Sequence, residues 1–289
     1  MHSKSNKSYL TVLRLSVVEF VEEGAFFHGA ALAYYTLFAM IPLLYLTLIS
    51  FGKIFGEHVC IDAITMILRK NVGIQDISAF TGYLQSLNNQ SKSLALNIVM
   101  ILVLLYSCTA FMVSLKFSMN EFFNIQKKKR ENLNIIMDFL KFRFVSIGLL
   151  AFFALAIMLS YFIQIVAISL LENWFSSKIG NVHFGFVLLH HAFSILMNVV
   201  IIAFIFKYVH DGSIEWKLAF TGGLLTAILL FTSQLGIKYY LQHYFFLGKG
   251  DVVGSMFILM AWVFYTAQVI FFGAKFTYVF GKAHHEAPH

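Results

Sequence analysis

His191, Ser194 and Asn198 fall at i, i+3 and i+7 of one apolar stretch, with His190 beside the first of them. On a helix that spacing places three hydrogen-bonding side chains along one face. A second apolar stretch carries Tyr265 and Gln268 on a common face, followed by Phe272 and Lys275, and single amides stand at Gln164 and Gln234. These groups can donate to and accept from a polar solute or a lipid headgroup, but no nucleophile is paired with a base. Polar side chains in hydrocarbon are costly and turn toward a bundle interior or a wet cavity. The face therefore reads either as a polar pathway or as plain interhelical hydrogen bonding. The paired histidines lie near the end of their stretch, where contact with interfacial water would also satisfy them.

The elements that must position these groups are membrane helices. Of 289 residues, 59% are hydrophobic and 12% charged, and the mean hydropathy is +0.77. A soluble domain carries about 25% charged residues, so half of an ordinary solvated surface is missing. A span needs about 20 apolar residues. Six stretches qualify: Gly29 to Ser50, Leu96 to Leu115, Val145 to Leu170, Phe184 to Phe206, Leu218 to Ile237, and Val253 to Phe276. The runs are continuous rather than alternating, which argues against strands. No short apolar core with a cleavage site precedes the first span, so no cleavable signal peptide is expected. The expected fold is an all-α, polytopic transmembrane bundle of about six spans, a single membrane domain over residues 1–289.

Cationic side chains set the orientation. Fourteen Lys and Arg fall on the side that holds both termini and the second and fourth connections, against seven on the other. Both termini are thus expected in the cytoplasm. Residues 9–23 read as an amphipathic interfacial helix, with Leu10, Leu13, Val17, Phe20 and Val21 as its apolar positions. Residues 52–93 form the longest connection, and helical spacing of Ile77, Phe80, Leu84 and Leu87 predicts a short extracytoplasmic helical cap.

Small residues recur at every fourth position, at Ala25, Gly29 and Ala33 in the first span and at Ala219, Gly223 and Ala227 in the fifth. Such spacing lets helix backbones approach closely in lipid. Ser107, Ala110, Ser114 and Ser118 make a similar stripe in the second. Pro42 removes a backbone donor within the first span and predicts a kink there. Lys127, Lys128, Lys129 and Arg130 form a basic run that either fixes topology or attracts anionic lipid headgroups. Cys60 and Cys108 lie in a polar connection and an apolar run, and are not expected to pair. H-E-x-x-H, G-x-S-x-G and P-loop patterns are absent. No enzyme activity, cofactor, metal site or nucleic-acid partner is expected, and membrane lipids are the expected partners.

Two segments resemble the YihY/virulence factor BrkB family of bacterial inner-membrane proteins. One is Gly29-Ala-Ala-Leu-Ala-Tyr-Tyr-Thr-Leu-Phe-Ala-Met-Ile-Pro42, and the other is Gly254 to Phe276 with Trp262, Tyr265 and Gly273-Ala274. The resemblance implies about six spans, a multi-pass place in the inner membrane, and a transport or envelope-related role. It also brings a former family label, ribonuclease BN, with which this sequence disagrees because no residues suited to catalytic metals stand out. Two features depart from the pattern: Lys275 stands where the family usually has an acidic residue, and Gly250-Asp251-Val252-Val253-Gly254 replaces a Tyr-Gly before the last span. The expected function is transport or export of an unidentified, amphiphilic or lipid-like substrate, and the alternative is a non-transporting membrane scaffold or envelope accessory protein.

Overall fold

In a computed structural model, the described residues are 9–56, 58–59, 61–62, 82, 86, 94–125, 148, 183–243 and 252–284. Six helices are found among them: α1 (Tyr9–Glu22), α2 (Ala25–Phe55), α3 (Leu94–Phe122), α4 (His183–Tyr208), α5 (Trp216–His243) and α6 (Val252–Ala283). No strand occurs among the described residues. The expected third span at Val145 to Leu170, apart from Gly148, and with it Gln164, the basic run Lys127 to Arg130, Cys60 and most of the cap at residues 52–93 lie outside the described residues.

Three helices are long and apolar enough to cross a membrane, by length and composition: Leu94–Phe122, Trp216–Ile237 and Met256–Ala283. Two shorter apolar stretches, Ala25–Met40 and Ala192–Tyr208, lie within α2 and α4. Their outward surfaces are apolar. On α3, Ile98, Val99, Leu102 and Tyr106 are all more than half exposed, a surface that water would penalise and hydrocarbon would not.

Local chemistry sets the helix ends. Gly24 adopts a φ of 69°, and Glu23 and Gly24 donate to the carbonyls of Glu19 and Val21 at 3.0 and 3.1 Å. This left-handed cap stops α1 and lets α2 start at the next residue. At the end of α3, Asn124 takes a φ of 51°, which its short polar side chain tolerates better than most residues. Ile125 then donates to the Asn120 carbonyl at 2.8 Å, closing the last turn. Pro42 is buried inside α2, which continues through it to Phe55.

The chain divides into two compact units. The first comprises residues 1–25, 116–231 and 269–289. Within it α1 lies against the end of α6, where Val12 packs on Phe276 and Val279. The fully buried Ser16 turns its hydroxyl onto the Val12 carbonyl at 2.8 Å, so it needs no other partner. Leu10, Leu13, Val17, Val18 and Val21 are exposed on α1. The second unit comprises residues 26–115 and 232–268. There Tyr45, fully buried on α2, donates to the Asn97 side chain of α3 at 2.8 Å, and Phe26 stacks on Phe264 of α6.

Candidate functional site

The polar positions read from the sequence divide between the two units. In the first, Ser194 and Asn198 are half-buried on α4. His190 and His191 belong to the same helix, and their side chains lie outside the described residues. Asn198 makes no hydrogen bond to a described residue. In the second unit Gln234 and Tyr265 are exposed on α5 and α6. Gln268 is half-buried, and its amide nitrogen lies over Gly29, where a Cβ would collide with it. Any larger residue at 29 would displace that amide. Ala33 is buried nearby and borders a groove lined also by Thr36, Leu37, Met40, Leu259, Met260 and Val263. Its volume of about 10 Å³ is far below the roughly 300 Å³ at which pockets for small molecules begin, and its lining is almost wholly apolar, so it is a shallow dent between helices.

In the first unit α5 packs on two neighbours with two adjacent glycines. Gly223 faces α4, where a Cβ would stand 3.0 Å from the Val199 carbonyl and 3.3 Å from the Ala203 nitrogen. Ala219 and Ala227 on α5 are fully buried. Gly222 faces α6 instead, directly under the Thr277 hydroxyl, while Thr226 lies in the same way on Gly273. Each threonine hydroxyl donates to its own helix, Thr226 to the Gly222 carbonyl at 2.7 Å and Thr277 to the Gly273 carbonyl at 2.6 Å. A glycine and a threonine one turn apart on each helix therefore interlock with the same pair on the other, and no polar atom is left unsatisfied.

The helix ends of this unit carry its charged chemistry. Asn120, at the end of α3, clamps Asp211 in the α4–α5 connection: its amide donates to the carboxylate at 3.0 Å and its carbonyl accepts from the Asp211 backbone at 2.9 Å. Lys116 adds an ion pair to the same carboxylate at 2.6 Å. Lys207 donates to the Ile214 carbonyl and lies over the Trp216 ring. His210 is buried against Phe123, and Gly212 donates to its Nδ1 at 3.0 Å. The ring is therefore the neutral Nε2–H tautomer, and Nε2 makes no hydrogen bond. Burial pushes its pKa down to about 4, while the Phe206 carbonyl and the Asp211 carboxylate oppose the shift without reversing it.

Lys275 is fully buried on α6. Its ammonium donates to Glu23 Oε1 at 2.5 Å, approaches Glu19 Oε2 at 3.6 Å, and lies 4.8 Å from the centre of the Tyr278 ring. Glu23 Oε2 is buried with no hydrogen bond. Burial raises the Glu23 pKa, Lys275 lowers it, and Glu19 and Glu121 add to the rise. Among the described residues no group of His, Cys, Asp and Glu could hold a metal ion.

Sequence reasoning placed Lys275 on a polar face with Tyr265 and Gln268 and missed its partners. The signal was present: a cation in an apolar helix demands a counter-ion, and Glu19, Glu22 and Glu23 crowd the segment before the first span. Gly222, Thr226, Gly273 and Thr277 were missed because the small-residue stripe one position away was the more regular. The Asn120–Asp211 clamp joins residues 91 apart and left no local trace.

Searches of curated proteins and of solved structures return no match. The profile of the virulence factor BrkB family matches residues 16–289, which takes in α2 to α6 and the second half of α1. A chain whose described residues form helices, three of them fit to span a bilayer, and which is matched over nearly its whole length belongs to the virulence factor BrkB family.

Proposed function

We propose that this protein crosses the bacterial cytoplasmic membrane six times, keeps both termini in the cytoplasm, and moves an amphiphilic, lipid-like substrate without enzymatic chemistry of its own. Asn198 carries the reading. A half-buried amide on an apolar helix calls for a polar neighbour or water, and in this reading it is water in a cavity. The exposed apolar residues of α1 and the basic run Lys127 to Arg130 suit a surface of anionic headgroups, each cation worth about 1 kcal/mol near such a surface. Nucleic acid is not a partner in this reading, because the cations are spread over the connections of a membrane bundle.

The test uses the purified full chain in liposomes, with transbilayer movement of a fluorescent short-chain phospholipid as readout. Movement faster than in protein-free liposomes is expected, together with reaction of Asn198→Cys (Cys60 and Cys108 replaced by Ser) with a hydrophilic thiol reagent. Movement at the protein-free rate, with Asn198→Cys protected in a folded protein, overturns the proposal. The second reading, a scaffold that transports nothing, is favoured by the interlocked Gly–Thr pairs, whose polar atoms only pack helices. In that case Asn198→Leu lowers stability and changes nothing else.

A further inference from the structure

Lys275 is one ammonium facing two carboxylates. Glu19 and Glu23 stand one turn apart at the end of α1, and the ammonium is 2.5 Å from the second and 3.6 Å from the first. With every group ionised, the cluster carries one negative charge in excess, in a region where Lys275 has no solvent contact and the two carboxylates are about a quarter exposed. Glu121 on α3 adds further negative charge. From α6 the other facing groups are Tyr278, whose hydroxyl accepts from Asn124 at 3.0 Å, and Lys282, whose ammonium lies 5.9 Å from the centre of the same ring; Lys282 is exposed, so water screens its charge and the excess at Glu23 is reduced rather than cancelled. An unbalanced charge with this little hydration is costly. The cluster becomes neutral by taking up one proton.

The geometry says which atom receives it. Oε1 of Glu23 is occupied by the ammonium, whereas Oε2 is buried and makes no hydrogen bond. A proton from water on Oε2 makes Glu23 a neutral acid and removes the attraction that holds Lys275 to it. Glu19 is then the remaining anion within reach. Gly24, with its φ of 69°, follows directly and separates α1 from α2, so α1 can adjust without bending α2. We propose that Glu19, Glu23 and Lys275 form a proton-binding switch, in which uptake of one proton by Glu23 hands the Lys275 ammonium to Glu19 and shifts α1 against α6. The lysine keeps its three protons throughout, and the only covalent change is the new O–H bond on Glu23. Burial and the neighbouring acids raise the Glu23 pKa, which brings the switch closer to neutral pH. The proposal stands apart from the transport reading, since a scaffold could carry the same switch.

The experiment uses the full chain in lipid nanodiscs, with Cys60 and Cys108 replaced by Ser. Infrared difference spectra across a pH titration report protonated carboxyl groups directly. A band that titrates above the usual glutamate range is expected in the parent protein, lost in Glu23→Gln and moved to lower pH in Glu19→Gln, which removes the excess charge. Spin labels at Leu13 and Lys282, both exposed, should give a separation that changes with the same midpoint. Glu23→Gln should hold the acid-pH separation at every pH, and Glu19→Gln should abolish the change. If Glu23→Gln does not fold, Glu23→Asp replaces it, and the band should move in frequency and midpoint. A band that survives Glu23→Gln, or is unmoved in Glu23→Asp, overturns the proposal. So does a separation that does not change with pH in the parent protein.

Discussion

Lys275 and His210 are two buried titratable side chains of one unit, and they were satisfied in opposite ways. Lys275 keeps its charge by facing two carboxylates, whereas His210 avoids one by accepting from Gly212 as a neutral ring. Lys275→Met should leave Glu19 and Glu23 repelling each other without a cation. Breaking a buried pair costs about 3–5 kcal/mol, and the partly exposed carboxylates place this case at the lower end. Adding Glu19→Gln and Glu23→Gln should recover much of the loss, as measured by thermal unfolding in detergent. For His210 the folded pKa of about 4 lies below its unfolded value, so the unfolded chain binds the extra proton. Stability should therefore be present above about pH 6.5 and fall as the pH drops toward 4, by on the order of 3 kcal/mol at most. His210→Phe should flatten that fall in a pH series of unfolding midpoints. Glu23 works in the other direction: its raised pKa favours the folded state as the pH falls, so Glu23→Gln should steepen the acid loss that His210→Phe relieves.

Between helices, close approach is made by glycine opposite threonine on α5 and α6, and by glycine opposite backbone on α5 and α4. Gly222→Val should prevent α5 and α6 from meeting, and sharply lower the yield of folded protein. Gly222→Ala is the finer probe. It should be destabilising alone and partly rescued by Thr277→Ala, with a coupling of about 1–3 kcal/mol in a double-mutant cycle. Additivity of the two changes would mean that the side chains do not meet. Asn120→Ala should release the α4–α5 connection, seen as faster backbone hydrogen exchange at Asp211 and Gly212, because both arms of the clamp are lost at once. At this scale the helices themselves were legible. Continuous apolar runs dictated α2 to α6, whereas the left-handed Gly24 and Asn124 that end α1 and α3 were not read from the sequence. The partner of each face was not legible, because Gly222 and Gly223 are adjacent and periodicity alone cannot say which one meets α4 and which α6. On α1 the sequence offers Leu10, Leu13, Val17, Phe20 and Val21 as an apolar stripe, yet Val12 and Ser16 are what face α6, leaving Leu13, Val17 and Val21 outside.

For the whole molecule, the proposed six-span arrangement makes a plain prediction: cysteines at Lys129 and Gln90 should label from opposite sides of the membrane, Lys129 from the cytoplasm. Labelling of both from one side would refute it. The family was legible from Gly29 to Pro42 and from the last apolar stretch, since those residue types at those spacings are uncommon together. The long-range pairs were not, because nothing local ties Glu23 to a lysine 252 residues later. That separation has a consequence for biosynthesis. A chain growing at about 5–20 residues per second exposes Glu19 and Glu23 for roughly 10–50 s before their cation is made. Until α6 enters the bilayer, the segment before α2 holds acids with no partner, and a quality-control protease would meet it unlatched. A ribosome stalled before Lys275 should leave a nascent chain cut near Gly24 by an added protease, and one stalled well beyond it should leave that bond protected.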